Sequence, residues 1–120
     1  MLPSNPLKVT LIQSAAGREQ DENLARIADL VNGADAADLV ALPEVFALRG
    51  SDEDYRTHAD PIPGPLTNHL AALARRQNAW LLAGALIEKA GTRVFNTSVL
   101  FDRQGNIAAV YRKIHLFEAE

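Results

Sequence analysis

The chain contains no cysteine. Disulfides, thiolate metal sites and a thiol nucleophile are therefore all excluded within these 120 residues. No apolar run approaches the roughly 18 to 20 residues needed to cross a bilayer. Residues 1–6 hold two prolines, Pro3 and Pro6, but no basic or apolar segment, so no secretory signal is read and a cytoplasmic location is expected. Positive charge is sparse and scattered. Of twelve Lys and Arg only Arg75-Arg76 and Arg112-Lys113 are adjacent, and the net charge is −3. Nothing there forms a stripe for nucleic acid or a polybasic membrane patch, so neither is an expected partner. His58, His69 and His115 lack ligand-like spacing. Neither a metal nor any other cofactor is expected. Internal repeats, low-complexity tracts and linkers are absent as well.

What is present is an ordinary globular balance, 48% hydrophobic and 22% charged. The length suits one domain or part of one, and a complete domain of this size buries roughly two-thirds of its unfolded-chain surface. Val9 to Ile12 reads as a first strand buried on both faces. Asp21 is the expected N-cap of a helix carried by Leu24, Ile27, Ala28, Leu30 and Val31, with Gly33 as its stop. Leu39 to Leu42 reads as a second strand, halted by Pro43. Strand, helix and strand within about 35 residues are the signature of a parallel βαβ unit. Val45 to Pro63 has no clear period and reads as a long loop, the kind that tends to be functional or disordered. Pro65 opens a second helix with Leu66, Leu70, Leu73 and Ala74 on its apolar stripe, running to about Asn78. Trp80 to Ile87 is read as a buried strand, then Val94 to Phe101, a turn at Asp102-Arg103-Gln104-Gly105, and a returning strand from Ile107 to Ile114. The class is α/β, parallel units first and antiparallel strands after.

Two residues stand out chemically. Glu44 follows an apolar strand and Pro43, at the strand end where open α/β sheets bind ligands. Pro43 fixes its own φ and helps aim the carboxylate. Partly withdrawn from water, that carboxylate would have a raised pKa, as a general base needs. It is equally readable as a solvated loop glutamate or a cap. Lys113 sits among Tyr111, Arg112, Ile114, His115, Leu116 and Phe117. On a strand Arg112 and Lys113 point to opposite faces. An inward lysine needs a partner and can stabilise an oxyanion; the other reading is an edge strand guarded by basic residues. His115 reads as a packed or hydrogen-bonded neighbour of Lys113. Gly84 is read as allowing close strand packing. Phe46 and Tyr55 are open to two readings, pocket lining or loop anchors.

Taken together the segments are more specific. Lys8-Val9-Thr10-Leu11-Ile12-Gln13, Asp38-Leu39-Val40-Ala41-Leu42-Pro43-Glu44, Ile62-Pro63-Gly64-Pro65-Leu66, Asn96-Thr97-Ser98-Val99-Leu100-Phe101 and Tyr111-Arg112-Lys113-Ile114-His115-Leu116-Phe117 occur in that order over nearly the whole chain. In this the chain resembles the N-terminal half of the nitrilase, or carbon–nitrogen hydrolase, superfamily, and within it the amidase branch acting on small ω-amide or related compounds. The resemblance implies an αββα four-layer sandwich, of which residues 1–120 would be the front half, and a Glu-Lys-Cys site. Glu44 then matches the general base and Lys113 the lysine that stabilises the tetrahedral intermediate. The cysteine nucleophile and a second glutamate would follow further along; Glu118 and Glu120 lie in no family motif and are not assigned that role.

The resemblance thus implies hydrolysis of a small amide, nitrile or carbamoyl compound in an intact parent that pairs into a homo-oligomer. This chain alone, lacking the sulfur, would be inactive. The apolar His115-Leu116-Phe117 is followed only by Glu118-Ala119-Glu120, with no terminating helix or polar tail, and is read as a truncation. Isolated, such a half-domain is expected to be poorly soluble, partly unfolded or oligomeric. The competing readings are a non-catalytic half-domain for binding or assembly, and one chain of a split hydrolase.

Overall fold

Alternating apolar runs and amphipathic stretches resolve into five strands and three helices in the computed structural model, which describes residues 5–115. In chain order these are β1 (Val9–Leu11), α1 (Gln20–Gly33), β2 (Leu39–Leu42), α2 (Asp52–His58), α3 (Pro65–Gln77), β3 (Trp80–Ala90), β4 (Arg93–Phe101) and β5 (Ile107–Arg112). The strands form one sheet in the order β1-β2-β3-β4-β5. The first two neighbouring pairs are parallel and the last two antiparallel. That mixed sheet is the α/β arrangement expected, with the crossover helices α1 and α3 supplying the parallel connections. No described helix is long and apolar enough to cross a membrane.

The core lies on one face of the sheet. Ile27 and Val31 of α1 and Leu66, Leu70, Leu73 and Ala74 of α3 pack with Val40, Leu42, Leu81, Ala83, Val99 and Phe101 in one buried cluster. Both helices show the i, i+3, i+4 spacing that brings such residues onto one stripe. Each fully buried Leu or Phe there contributes about 1.5–3 kcal/mol by removal from water. Pro65 opens α3, and Asn78 closes it in the left-handed region (φ 49), a conformation asparagine tolerates.

The opposite face is apolar but bare. Leu11, Ala41, Leu82, Leu100 and Ala109 stand in one cross-strand row, and Leu39 beside Trp80 in the next. None of them is buried among the described residues. This corrects the first-strand expectation. β1 is an edge strand, and Leu11 is 77% exposed rather than buried on both faces. It also explains why β3 alternates between buried and half-buried residues instead of reading as a continuously buried strand.

Other departures have local causes. α1 begins one residue before Asp21, with Glu19 as N-cap and no side-chain cap hydrogen bond, so its start is set by packing. The stretch read as a structureless loop contains α2, which has no buried residue and therefore no apolar period to detect. A capping box holds it instead: Ser51 Oγ accepts from Asp54 N (3.2 Å), and Ser51 N donates to Asp54 Oδ2 (2.8 Å). β5 stops at Arg112, short of Ile114. A β-carbon on Gly84 would lie 3.5 Å from Ser98 Oγ, an ordinary contact, so strand packing does not demand glycine there. His115 is exposed, not packed. Leu116, Phe117, Glu118 and Glu120 lie outside the described residues.

Candidate active site

β2 delivers Glu44 to the carboxyl edge of the parallel half of the sheet. After Leu42 the chain leaves the ladder through Pro43 into a tight turn over Glu44–Ala47. Val45 adopts φ 48, a region a β-branched residue seldom occupies and one that costs on the order of 1–3 kcal/mol. Its N–H donates to the carbonyl of Ala85 (2.9 Å), within the register shift that β3 makes between Ala83 and Leu86. A bulge aims a neighbouring segment, and here it pins the residue directly after Glu44. Phe46, next along, is buried in the core cluster, so it anchors the loop rather than lining a pocket. Buried Asn23 of α1 fastens the far side, donating to the carbonyls of Gly17 (2.8 Å) and Ala47 (3.0 Å).

Lys113 arrives from the other direction, one residue past the end of β5. Its Nζ lies 3.1 Å from Glu44 Oε1. Asn96 of β4 joins the two: its side-chain amide N–H donates to the same Glu44 oxygen (2.9 Å), and its backbone carbonyl accepts from the Lys113 backbone N–H (2.8 Å). The structure therefore brings together the two residues singled out in sequence, across 69 positions. It adds Asn96, whose strand segment was recognised but whose side chain was given no role. The signal available was the polar run Asn96-Thr97-Ser98 in the middle of a strand with apolar residues on either side.

Both donors converge on Oε1. Among the described residues Oε2 accepts no hydrogen bond, which leaves one carboxylate oxygen able to take a proton. The Glu44 side chain is 56% exposed and that of Lys113 39%. The expectation of a raised Glu44 pKa is not met. The hydrogen bond from Lys113, then that from Asn96, hold the carboxyl below its ordinary 4.5, and desolvation opposes them only weakly because the group is open to water. Glu44 is consequently an ionised acceptor at neutral pH.

The pair forms a ridge between two hollows. One, of about 520 Å³, also has Arg49, Asp52, Tyr55 and Phe95 in its wall. The other, of about 210 Å³, is bounded by Gly84, Ser98 and Tyr111. Tyr55 is thus a pocket-lining residue on α2, a helix not foreseen. Among the described residues no group of three or more His, Cys, Asp or Glu is placed to hold a metal ion.

Residues 8–120 match the family model for carbon–nitrogen hydrolase. The chain belongs to the carbon–nitrogen hydrolase family. Among its relatives, the 2-oxoglutaramate amidase of Paenarthrobacter nicotinovorans is 37% identical over 102 residues, which cover 81% of this chain and 35% of that protein. The omega-amidase NIT2 of Xenopus tropicalis is 30% identical over 115 residues, covering 94% of this chain and 42% of the relative. In structure this member resembles Nit3 of Saccharomyces cerevisiae, assigned to branch 10 of the nitrilase superfamily, with a TM-score of 0.81 at 27% identity, over 91% of this chain and 44% of Nit3. The fold is that of the nitrilase superfamily. The chain spans between about a third and two fifths of the length of these two amidase relatives.

Proposed function

We propose that residues 1–120 form the N-terminal half of a carbon–nitrogen hydrolase domain acting on small amides, with Glu44 as general base and Lys113 as oxyanion stabiliser. The observation that carries this reading is the 3.1 Å approach of Lys113 Nζ to Glu44 Oε1 at a cavity wall, in a chain of this family. The named activities of the amidase relatives favour an amide over a nitrile.

The chemistry needs a thiol, which this chain does not hold. In the proposed reaction a cysteine from outside these residues presents its S–H beside Glu44. The free Oε2 takes the proton as sulfur attacks the amide carbon. The Lys113 ammonium stabilises the negative charge that develops on the carbonyl oxygen, an effect of roughly 3–4 kcal/mol for one well-placed donor. Collapse breaks the C–N bond, and the proton on Glu44 passes to the departing nitrogen, releasing ammonia or an amine. Glu44 then deprotonates a water that attacks the thioester, releasing the carboxylic acid and returning the thiol. Glu44 is ionised at neutral pH and so can accept the proton, while the Lys113 and Asn96 hydrogen bonds that lower its pKa make it a weaker base than a carboxylate without those partners.

The test uses the full-length polypeptide that carries this chain, assayed for ammonia release from a panel of small ω-amides. Glu44→Gln and Lys113→Ala are each expected to lower turnover at least a hundredfold with the fold kept. Near-normal turnover in either variant removes that residue from its role. A second reading, a non-catalytic assembly half, draws on the bare apolar sheet face and the missing sulfur. It prevails if the full-length polypeptide releases no ammonia from any amide and carries no cysteine in reach of Glu44.

A further inference from the structure

Among the described residues β5 is an edge strand with every residue exposed, and no strand there lies on its outer side. Yet Lys113 follows that end directly. On its inner side the end is held to β4 by the ladder and by the Lys113 N–H bond to the Asn96 backbone carbonyl, and a side chain ties it further in. Arg112 reaches back across β4 to Glu88 on β3, with Nε on Oε1 and Nη2 on Oε2, both at 2.8 Å. This fork-on-carboxylate geometry is directional as well as strong. The Thr97 hydroxyl donates to the same Glu88 Oε1 (2.8 Å), and the Arg112 guanidinium lies 4.0 Å from the centre of the Phe95 ring.

Glu88 is only 6% exposed, unusual for a carboxylate unless it is paired. Its backbone is clasped on both edges, by Phe95 of β4 and by the bridge to Asp60. The acceptor is therefore the most rigid member of the set. Along β4 the residues alternate: Phe95 and Thr97 serve the Glu88 cluster, whereas Asn96 between them serves Glu44 and Lys113. At the end of β5 the last strand residue, Arg112, goes to Glu88, and Lys113 just beyond it goes to Glu44. Two polar clusters on opposite faces thus share the same two strands.

We propose that Glu88 is a positioning residue, which holds Lys113 in register with Glu44 by clamping Arg112 to the rigid part of β3. The inference rests on the catalytic reading of Glu44 and Lys113 above. Lys113 itself has a flexible stem, so its ammonium is only as well placed as the backbone it leaves from. A displacement of about 1 Å in a catalytic group can cost on the order of a hundredfold.

The experiment measures kcat, KM and the pH profile of kcat/KM for Glu88→Gln in the full-length enzyme, per active site counted by thiol titration. Arg112→Lys and Thr97→Val serve as milder companions should Glu88→Gln fold poorly. The expected result is a tenfold or greater fall in kcat with KM within twofold. The acid limb should also move up toward the ordinary carboxylate pKa, because Glu44 loses its closest cation. Arg112→Lys should follow the same pattern more weakly. A purely structural role would lower the number of active sites and the melting temperature while leaving kcat per site and the acid limb unchanged, and that result overturns the proposal. If Glu44→Gln and Lys113→Ala retain turnover, the catalytic reading itself has failed. If they are inactive while Glu88→Gln keeps a normal profile, only the positioning role has.

Discussion

Two carboxylate–cation pairs sit on consecutive residues of one strand end, and they differ in nearly every physical respect. Glu88 is buried and meets Arg112 through two 2.8 Å contacts with a third from Thr97. Glu44 is exposed, and one of its oxygens takes both of its contacts while the other is left over. A buried carboxylate that already accepts three hydrogen bonds has little to offer a newcomer and is costly to disturb. An exposed, half-satisfied one contributes little to stability but can accept a proton from something new. The contrast separates a group that holds the scaffold from one equipped for chemistry, and both are wired through neighbouring residues of β4.

The largest effect that would break this comparison is on stability. Glu88→Ala leaves the Thr97 hydroxyl and part of the Arg112 guanidinium without their acceptor in a packed setting. Removing one partner of such a pair costs about 1–3 kcal/mol here, below the full value for a buried pair because Arg112 can rehydrate. Glu44→Ala should change stability by no more than about 0.5 kcal/mol, as for exposed pairs generally. Denaturant midpoints of the full-length polypeptide measure both. Equal losses would show that the two carboxylates do the same job.

Much of the scaffold was legible in sequence because it is carried by apolar period. Leu66, Leu70, Leu73 and Ala74 mark α3, and the runs at Leu39–Leu42 and from Val94 to Phe101 mark strands, since each buries a face of its own. α2 was hidden because it buries no residue and is held by polar contacts, the Ser51–Asp54 box and the Arg18–Asp54 ion pair. The exposure of β1 was hidden for another reason: Val9, Thr10 and Leu11 are apolar or β-branched whether or not a neighbour covers them. Glu44 and Lys113 were found by a family pattern, not by physics, because a single exposed ion pair leaves no periodic trace. Glu88 escaped altogether. Its neighbours Ile87 and Lys89 make it look like a strand's solvated end, and only the fold shows that Arg112 and Thr97 close over it.

A smaller effect sharpens the role of geometry as against charge. Arg112→Lys keeps the cation but cannot fork across both Glu88 oxygens, and an ammonium stacks less well on Phe95. Its melting temperature should fall by less than that of Glu88→Ala yet measurably below the parent. A variant indistinguishable from the parent would mean that Glu88 needs only a nearby positive charge.

The smallest effect lies in acid. Both carboxyls are held below the ordinary glutamate pKa of 4.5: Glu88 chiefly by the Arg112 hydrogen bond, with burial opposing, and Glu44 chiefly by the Lys113 hydrogen bond. A depressed folded-state pKa means that the unfolded chain binds more protons as the pH drops. The stabilisation is therefore complete above about pH 4.5 and is lost as pH falls through the folded value. Asp54, lowered by its bonds to Ser51, adds to the same slope and persists in both variants. Glu88→Gln should flatten the decline of stability below pH 4.5 more than Glu44→Gln does. The Glu44 carboxylate stays hydrated in the folded chain, so less of its depressed pKa reflects folding. Urea midpoints at pH 3.5 and pH 6 for the parent and both variants read this directly. A steeper flattening from Glu44→Gln would invert the assignment of which pair is structural, because it would mean that the exposed carboxylate gains more from folding than the buried one.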